Sequence, residues 1–207
     1  LNEEREMNSN EIYVVDYDMK QAEIVMFAKG SKLDKEKYSI IKLHNEYFGG
    51  GMSSIVFQDL RESKALAYSV YSTYTIPKKT DDSHYQFSYI GTQADKLSEA
   101  MDGMLGLLTQ MPEANSNFNN AKEAVLQKIR TERITKTKVL DYYEAAQKIK
   151  IDYDQRKDLY DNISDFSMEN LREFHNSNVS NDNYTYMVLG NIEDLDMDIL
   201  KRYGNVQ

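Results

Sequence analysis

The spacing of apolar residues changes several times along the chain, and the order of those changes limits the folds open to it. Ile12 to Tyr17 and Ala22 to Ala28 are strand-like runs, parted by the polar turn Asp18-Met19-Lys20-Gln21. From about Lys35 to Phe48, Tyr38, Ile41, Leu43 and Tyr47 supply a helical stripe. Gly49-Gly50-Gly51 breaks that helix. Ser53 or Ser54 can then cap a second helix that carries Ile55, Val56, Phe57 and Leu60 to about Lys64. Ala67 to Ile76 and Tyr85 to Ile90 return to the strand period, with Tyr68, Val70, Tyr74 and Ile76 sharing one parity and Tyr85, Phe87 and Tyr89 another. The link from Pro77 to Ser83 is long for a tight hairpin.

The second half reads mostly as helix. Leu97, Met101, Met104, Leu105 and Leu108 recur at helical spacing until Pro112, and Phe118, Ala121, Val125 and Ile129 mark the next helix. Helical spacing continues through Val139, Tyr143, Ala146 and Ile149, so the charge-rich stretch from 113 to 160 reads as solvated helices and not as a linker. A short helix begins after Ser167, Tyr184 to Leu189 is a last strand, and Asp196 to Tyr203 a last helix. Strand pairs adjacent in sequence favour an α+β fold, an antiparallel β-sheet with helices packed on one face. The polar residues 1–10 read as a linker or frayed end, and 11–207 as a single α+β domain.

Composition removes several function classes. A net charge of −9 argues against phosphate backbones as partners. The absence of cysteine excludes thiol catalysis, disulfides and cysteine metal sites, and leaves the compartment open between a bacterial periplasm and a cytoplasm. No apolar run reaches membrane-span length. Leu1 opens a polar stretch without signal-peptide character, and a start without Met suggests a processed or excised piece. The 16 tyrosines read as packing residues with a few polar tips.

Metal-dependent peptide hydrolysis by an inverted zincin needs His-x-x-Glu-His, two imidazoles for zinc and a carboxylate for the attacking water. The three histidines, His44, His84 and His175, are too scattered for that motif or for His-Glu-x-x-His, and read as ordinary polar or half-buried side chains. No Gly-x-Ser-x-Gly elbow is present, although a dispersed Ser–His–Asp triad stays open. The glycine run lacks the lysine of a phosphate loop and follows a helix, so it reads as a helix–helix turn.

One segment is more specific: Phe48-Gly-Gly-Gly-Met-Ser-Ser-Ile-Val-Phe-Gln-Asp-Leu-Arg-Glu-Ser-Lys-Ala-Leu-Ala-Tyr-Ser-Val-Tyr71. Its glycine turn, small-residue helix start, Leu-Arg-Glu and Leu-x-Tyr-Ser resemble the pitrilysin/insulysin-type metallopeptidases, which include the mitochondrial processing peptidases. Gln21-Ala22-Glu23-Ile24, Phe166 to Phe174, Val188-Leu189-Gly190-Asn191 and Leu200-Lys201-Arg202-Tyr203-Gly204 extend the likeness more weakly. Ala65 and Ala67 depart from it, standing where glycine is frequent.

The resemblance implies a metallopeptidase (LuxS/processing-peptidase-like) domain from the non-catalytic C-terminal half of such an enzyme. Two homologous halves would then enclose a chamber, with zinc in the partner domain and no metal held by this chain. It also implies that Arg61 and Tyr68 match an arginine and tyrosine, seven positions apart, that reach substrate near the scissile bond. A planar cationic fork suits a peptide carbonyl or carboxylate, and a phenol can donate to a developing oxyanion. The residues alone leave other roles open. Arg61 can pair with Glu62 or Asp59, and Tyr68 shares the parity of Val70 and can lie in the core. The expected partners are a homologous catalytic domain or subunit and a peptide or unfolded polypeptide. The alternatives are a structural or interaction domain of a proteolytically inactive family member, and an unrelated peptide-binding α+β domain.

Overall fold

In the computed structural model, which describes residues 4–181 and 183–207, six strands form one sheet. They are β1 (Glu11–Asp16), β2 (Gln21–Lys32), β3 (Ser69–Tyr74), β4 (Ser83–Gln93), β5 (Thr185–Gly190) and β6 (Asn205–Val206). The order across the sheet is β3-β4-β2-β5-β1-β6. From β3 through β4 and β2 to β5 each neighbouring pair is antiparallel, as the strand pairs suggest, whereas β1 lies parallel to both β5 and β6. The sheet is therefore mixed. β5 is inserted between β1 and β2, so the connection from Tyr17 to Lys20 spans two strand spacings, roughly 10 Å. Four residues reach that far comfortably.

The helices are α1 (Tyr38–Phe48), α2 (Leu97–Thr109), α3 (Asn115–Thr131), α4 (Lys136–Lys148), α5 (Arg156–Asn162), α6 (Met168–Phe174) and α7 (Met197–Leu200). The stripe on α1 buries Ile40, Ile41, Leu43, Tyr47 and Phe48, and α2 buries Leu97, Met101, Met104 and Leu108. These side chains meet Ile12, Ile24, Met26, Ile90 and Val188 on one face of the sheet. Ser167 opens α6 with a reciprocal capping box to Asn170, which fixes the start of a seven-residue helix that propensity alone would leave marginal.

β4 turns its polar residues inward. His84, Gln86, Ser88 and Thr92 are buried, while Tyr85, Phe87 and Tyr89 sit half-exposed on the uncovered face. Much of the buried set is bonded locally, although Gln86 Oε1 has no partner: Gln86 Nε2 donates to Ser72 Oγ at 2.7 Å, and Ser72 and Ser88 share a 3.0 Å hydrogen bond. The aromatic set stacks across strands instead, with Tyr71 5.4 Å from Tyr89 and 5.9 Å from Phe87 between ring centroids.

α4 differs from the other long helices, because none of its residues is buried. It is held by a polar clip in which Tyr142 bonds Glu132, Arg156 pairs with Glu132 and Asp154, and the Arg156 guanidinium stacks 4.1 Å over the Tyr142 ring. The N-terminal residues from Glu4, expected as a linker or frayed end, have no regular structure but are tied to the sheet. Glu4 accepts from the Ser83 backbone at 2.7 Å and pairs with Lys32, and Asn10 accepts from Tyr184 N–H at 2.8 Å.

Candidate functional site

The motif segment starts at the end of α1, where helix and edge strand touch. Asn45 Nδ2 donates to Tyr74 O at 2.9 Å and its Oδ1 accepts from Tyr74 N–H at 2.8 Å, so one side chain occupies the open edge of β3. Gly49 O accepts from Ser72 N–H at 3.3 Å. A β-carbon on Gly49 would fall 2.2 Å from Ser72 O, so this position needs glycine for close approach and not for an unusual φ. Gly50 is similarly close to Asn45 O, whereas Gly51 has room.

Ser54, not Ser53, receives the following turn: its Oγ accepts from Phe57 N–H at 3.4 Å. The expected second helix begins as α at Ile55 and widens into a π-helical turn over Phe57–Ser63. Lys64 N–H reaches Asp59 O at 3.0 Å, five residues back, and Leu66 N–H reaches Leu60 O at 2.8 Å. The exit runs through Ala65 at φ 50, a left-handed conformation that costs an L-residue about 1–2 kcal/mol. The substitution seen in the sequence thus falls on a position whose geometry favours glycine. Ala67, by contrast, has an ordinary negative φ and is buried.

Arg61 stands on the π-helical turn and Tyr68 immediately before β3, where Tyr68 N–H donates to Gly91 O at 2.8 Å. Both line one cleft of about 350 Å³, together with Glu62, Thr92, Gln93 and Lys96. Tyr68 is 51% exposed and so lies outside the core, because it precedes the strand whose alternation buries Val70. The Arg61 side chain is 45% exposed, sits 3.9 Å from a Glu62 oxygen and stacks 4.8 Å over Phe57. Asp59, the other candidate partner, pairs with Lys64 at 2.6 Å.

Two residues of this cleft carried no signal in the sequence. Gln93 Nε2 donates to the Tyr68 hydroxyl at 2.5 Å, which leaves the phenolic hydrogen available to a second acceptor. Lys96 Nζ donates to Ala65 O at 3.2 Å and adds a second cation. Gln93 ends β4 and Lys96 follows it, and they reach the cleft because β4 pairs with β3. Two cations and one carboxylate give the cleft a local positive balance in a chain of net charge −9. A larger groove, about 740 Å³, runs between α4 and Tyr38, Ile76 and Pro77 and contains none of these residues.

The histidines differ from expectation. All three are buried, and His44 Nε2 lies 3.0 Å from His175 Nδ1. The helix after Ser167 folds back on α1, a contact between residues 131 positions apart that no local pattern encodes. This donor set does not fit zinc: the facing nitrogens are spent on each other, and the other His175 nitrogen lies 2.9 Å from Leu108 O. His84 is committed elsewhere, 2.7 Å from Thr75 O through Nδ1 and accepting from Asp34 N–H at 3.1 Å. Among the described residues, no group of three or more histidine or carboxylate side chains is placed to hold a metal, and no helix is long and apolar enough to cross a membrane.

Comparison with known proteins follows the same outline. The family described as the peptidase M16 inactive domain matches residues 3–130. A Bacillus subtilis protein called uncharacterized zinc protease YmxG is 37% identical over 110 residues, which cover 51% of this chain and 26% of that protein. The structure described as the peptidase M16 inactive domain from Pseudomonas fluorescens superposes with TM-score 0.76 at 17% identity, over 91% of this chain and 45% of that one. The periplasmic protease PqqL from Escherichia coli superposes with TM-score 0.66 at 14% identity, over 90% of this chain and 21% of that one. The chain therefore spans about a quarter of the curated relative and less than half of either solved chain.

Proposed function

Since the chain belongs to the M16 peptidase family as an inactive domain, we propose that it handles peptide substrate for a zinc endopeptidase whose metal is carried by a homologous catalytic domain or subunit. The observation that carries this reading is the shared cleft: an arginine fork and a phenol, both solvent-accessible, project from a π-helical turn and a strand start. Rigid flanking elements suit such groups to orienting a peptide. Arg61 would hold a peptide carbonyl or terminal carboxylate, with Lys96 raising the local potential. Tyr68, its oxygen already accepting from Gln93, would direct its hydrogen at the carbonyl oxygen where charge develops.

One observation favours the second reading, a structural domain of an inactive member. Arg61 already packs on Phe57, and Tyr68 already bonds Gln93, so both have partners within this chain. Kinetics of the parent enzyme separate the two. On the first reading, Tyr68→Phe lowers kcat by on the order of 10²-fold, the scale of a lost oxyanion donor. Arg61→Ala raises KM or lowers kcat, and both variants keep their melting temperature. Normal turnover in both variants would rule out the assigned roles.

A further inference from the structure

We infer that the buried His44–His175 pair is a latch released by acid, which joins α1 to the turn after α6 and to the end of α2 and so holds the glycine turn against β3. Protonation follows from hydrogen-bond direction. Leu108 O can only accept, so His175 Nε2 carries a hydrogen and its Nδ1 is the acceptor for His44 Nε2–H. Both rings are then neutral, and the remaining basic nitrogen is His44 Nδ1. That atom is buried and has no hydrogen-bond partner.

Its surroundings offer a proton on that atom no hydrogen-bond acceptor. His44 stacks on Phe48 at 5.2 Å, and Phe174 closes another side at 5.2 Å. The nearest amide, on Asn45, is spent at both ends on the Tyr74 backbone. Lys37 reaches the turn after α6 by donating to Asn178 at 3.0 Å, while on α3 and α5 Lys122 lies over Phe118, Arg156 pairs with Glu132 and Asp154, and Lys157 pairs with Asp161. On α1, Glu46 pairs with Lys128, and Lys42 lies over the Tyr38 ring. On α6, Arg172 pairs with Glu113 and Glu169, and Glu173 is exposed. The turn His175–Val179 and the last turn of α2 carry no charged side chain, and the buried side chains of β2, which contacts that turn, are Ala22, Ile24, Met26 and Ala28. Tyr74 touches Phe174 edge-on, and His84, stacked on Tyr74, is neutral by its own two hydrogen bonds. A proton on His44 would therefore be both an unpaired charge and an unsatisfied donor. In keeping with this, burial and then the neighbouring His175 hold His44 well below the ordinary histidine range, and Asn45 opposes them without reversing the shift.

Release would spread along α1, since Asn45 and Gly49, which grip β3, lie one and five residues beyond His44. The latch stands on its own geometry. Only its consequence for Arg61 and Tyr68 rests on the proposed function.

The test is hydrogen–deuterium exchange of the 207-residue chain between pH 7.5 and 4.5, with labelling times corrected for intrinsic exchange. Peptides covering 42–50, 69–74 and 175–180 should lose protection at least tenfold by pH 5, while the β2–β4 ladder keeps its own. His44→Gln, which retains a donor to His175 without a titrating ring at position 44, should weaken that pH dependence and leave only the part that His175 contributes. Simultaneous loss across the whole chain, or an unchanged acid response in His44→Gln, would overturn the inference. Should the variant not fold, imidazole nitrogen NMR of the wild-type chain decides. Two neutral rings at pH 6.5, with His175 protonated on Nε2, support the latch, and a charged ring in the intact fold refutes it.

Discussion

Replacing Gly49 by alanine tests the contact that joins the helix end to the edge strand. The new β-carbon would lie 2.2 Å from Ser72 O and 2.6 Å from Ser72 N, backbone atoms that cannot rotate away. Relief to ordinary contact requires α1 and β3 to part by about 1 Å, an overpacking strain of roughly 1–3 kcal/mol. The same movement stretches the Ser72 N–H to Gly49 O bond, already 3.3 Å, and disturbs the two bonds from Asn45 to Tyr74. Each such bond contributes about 0.5–1.5 kcal/mol. Gly49 has φ −142, open to any residue, so alanine also gains about 0.4–1 kcal/mol by restricting the unfolded chain. The net expectation is a loss of about 2–3 kcal/mol, or a urea midpoint lower by about 1 M at a typical slope. Gly51→Ala is the control, because its β-carbon would meet only Glu46 Oε1 at 3.8 Å. If urea unfolding at pH 7.5 gives the two variants the same midpoint, the close-approach argument is wrong.

Ala65→Gly should raise stability by about 0.5 kcal/mol, since relief of the left-handed strain exceeds glycine's added unfolded-state freedom; thermal melting of the pair reads this directly. Ser167→Ala removes the hydroxyl arm of the capping box, leaves the backbone arm to Asn170, and should cost about 1 kcal/mol, seen as a lower melting temperature. Burial depresses His175 from 6.5 to about 4, although Leu108 and Leu107 oppose the shift. A folded pKa below the unfolded one means the unfolded chain takes up protons first as pH falls. This stability is therefore fully present above about pH 6.5 and lost towards pH 4, at about 1.4 kcal/mol per unit and about 3 kcal/mol in all. Urea midpoints at pH 8, 6.5, 5 and 4 should fall at least that steeply, because His44 and His84 are lowered by burial as well, and a flat profile contradicts it.

The strands and most helices were legible because alternation and helical stripes are local properties of a few turns. α1, α2 and α3 and strands β1 to β5 lie where the spacing predicts them, within a few residues at their ends. β6 has two residues and α5 has seven, too short for a period to register. The π-helical turn differs from an α-helix by one residue in hydrogen-bond reach, which leaves no mark on side-chain spacing. Arg61 and Tyr68 were found through a motif, whereas Gln93 and Lys96 joined their cleft through strand pairing.

By itself the sequence determined which segments are strand or helix, where glycine and alanine interrupt them, and which family the central segment resembles. Tertiary structure decided that β5 enters between β1 and β2, that the aromatic face of β4 stays uncovered, and that His44 and His175 meet in the core. The division has a physical origin. Periodicity reports how a segment can bury one side of itself, while pairing and sidedness depend on free energies shared between residues more than a hundred positions apart.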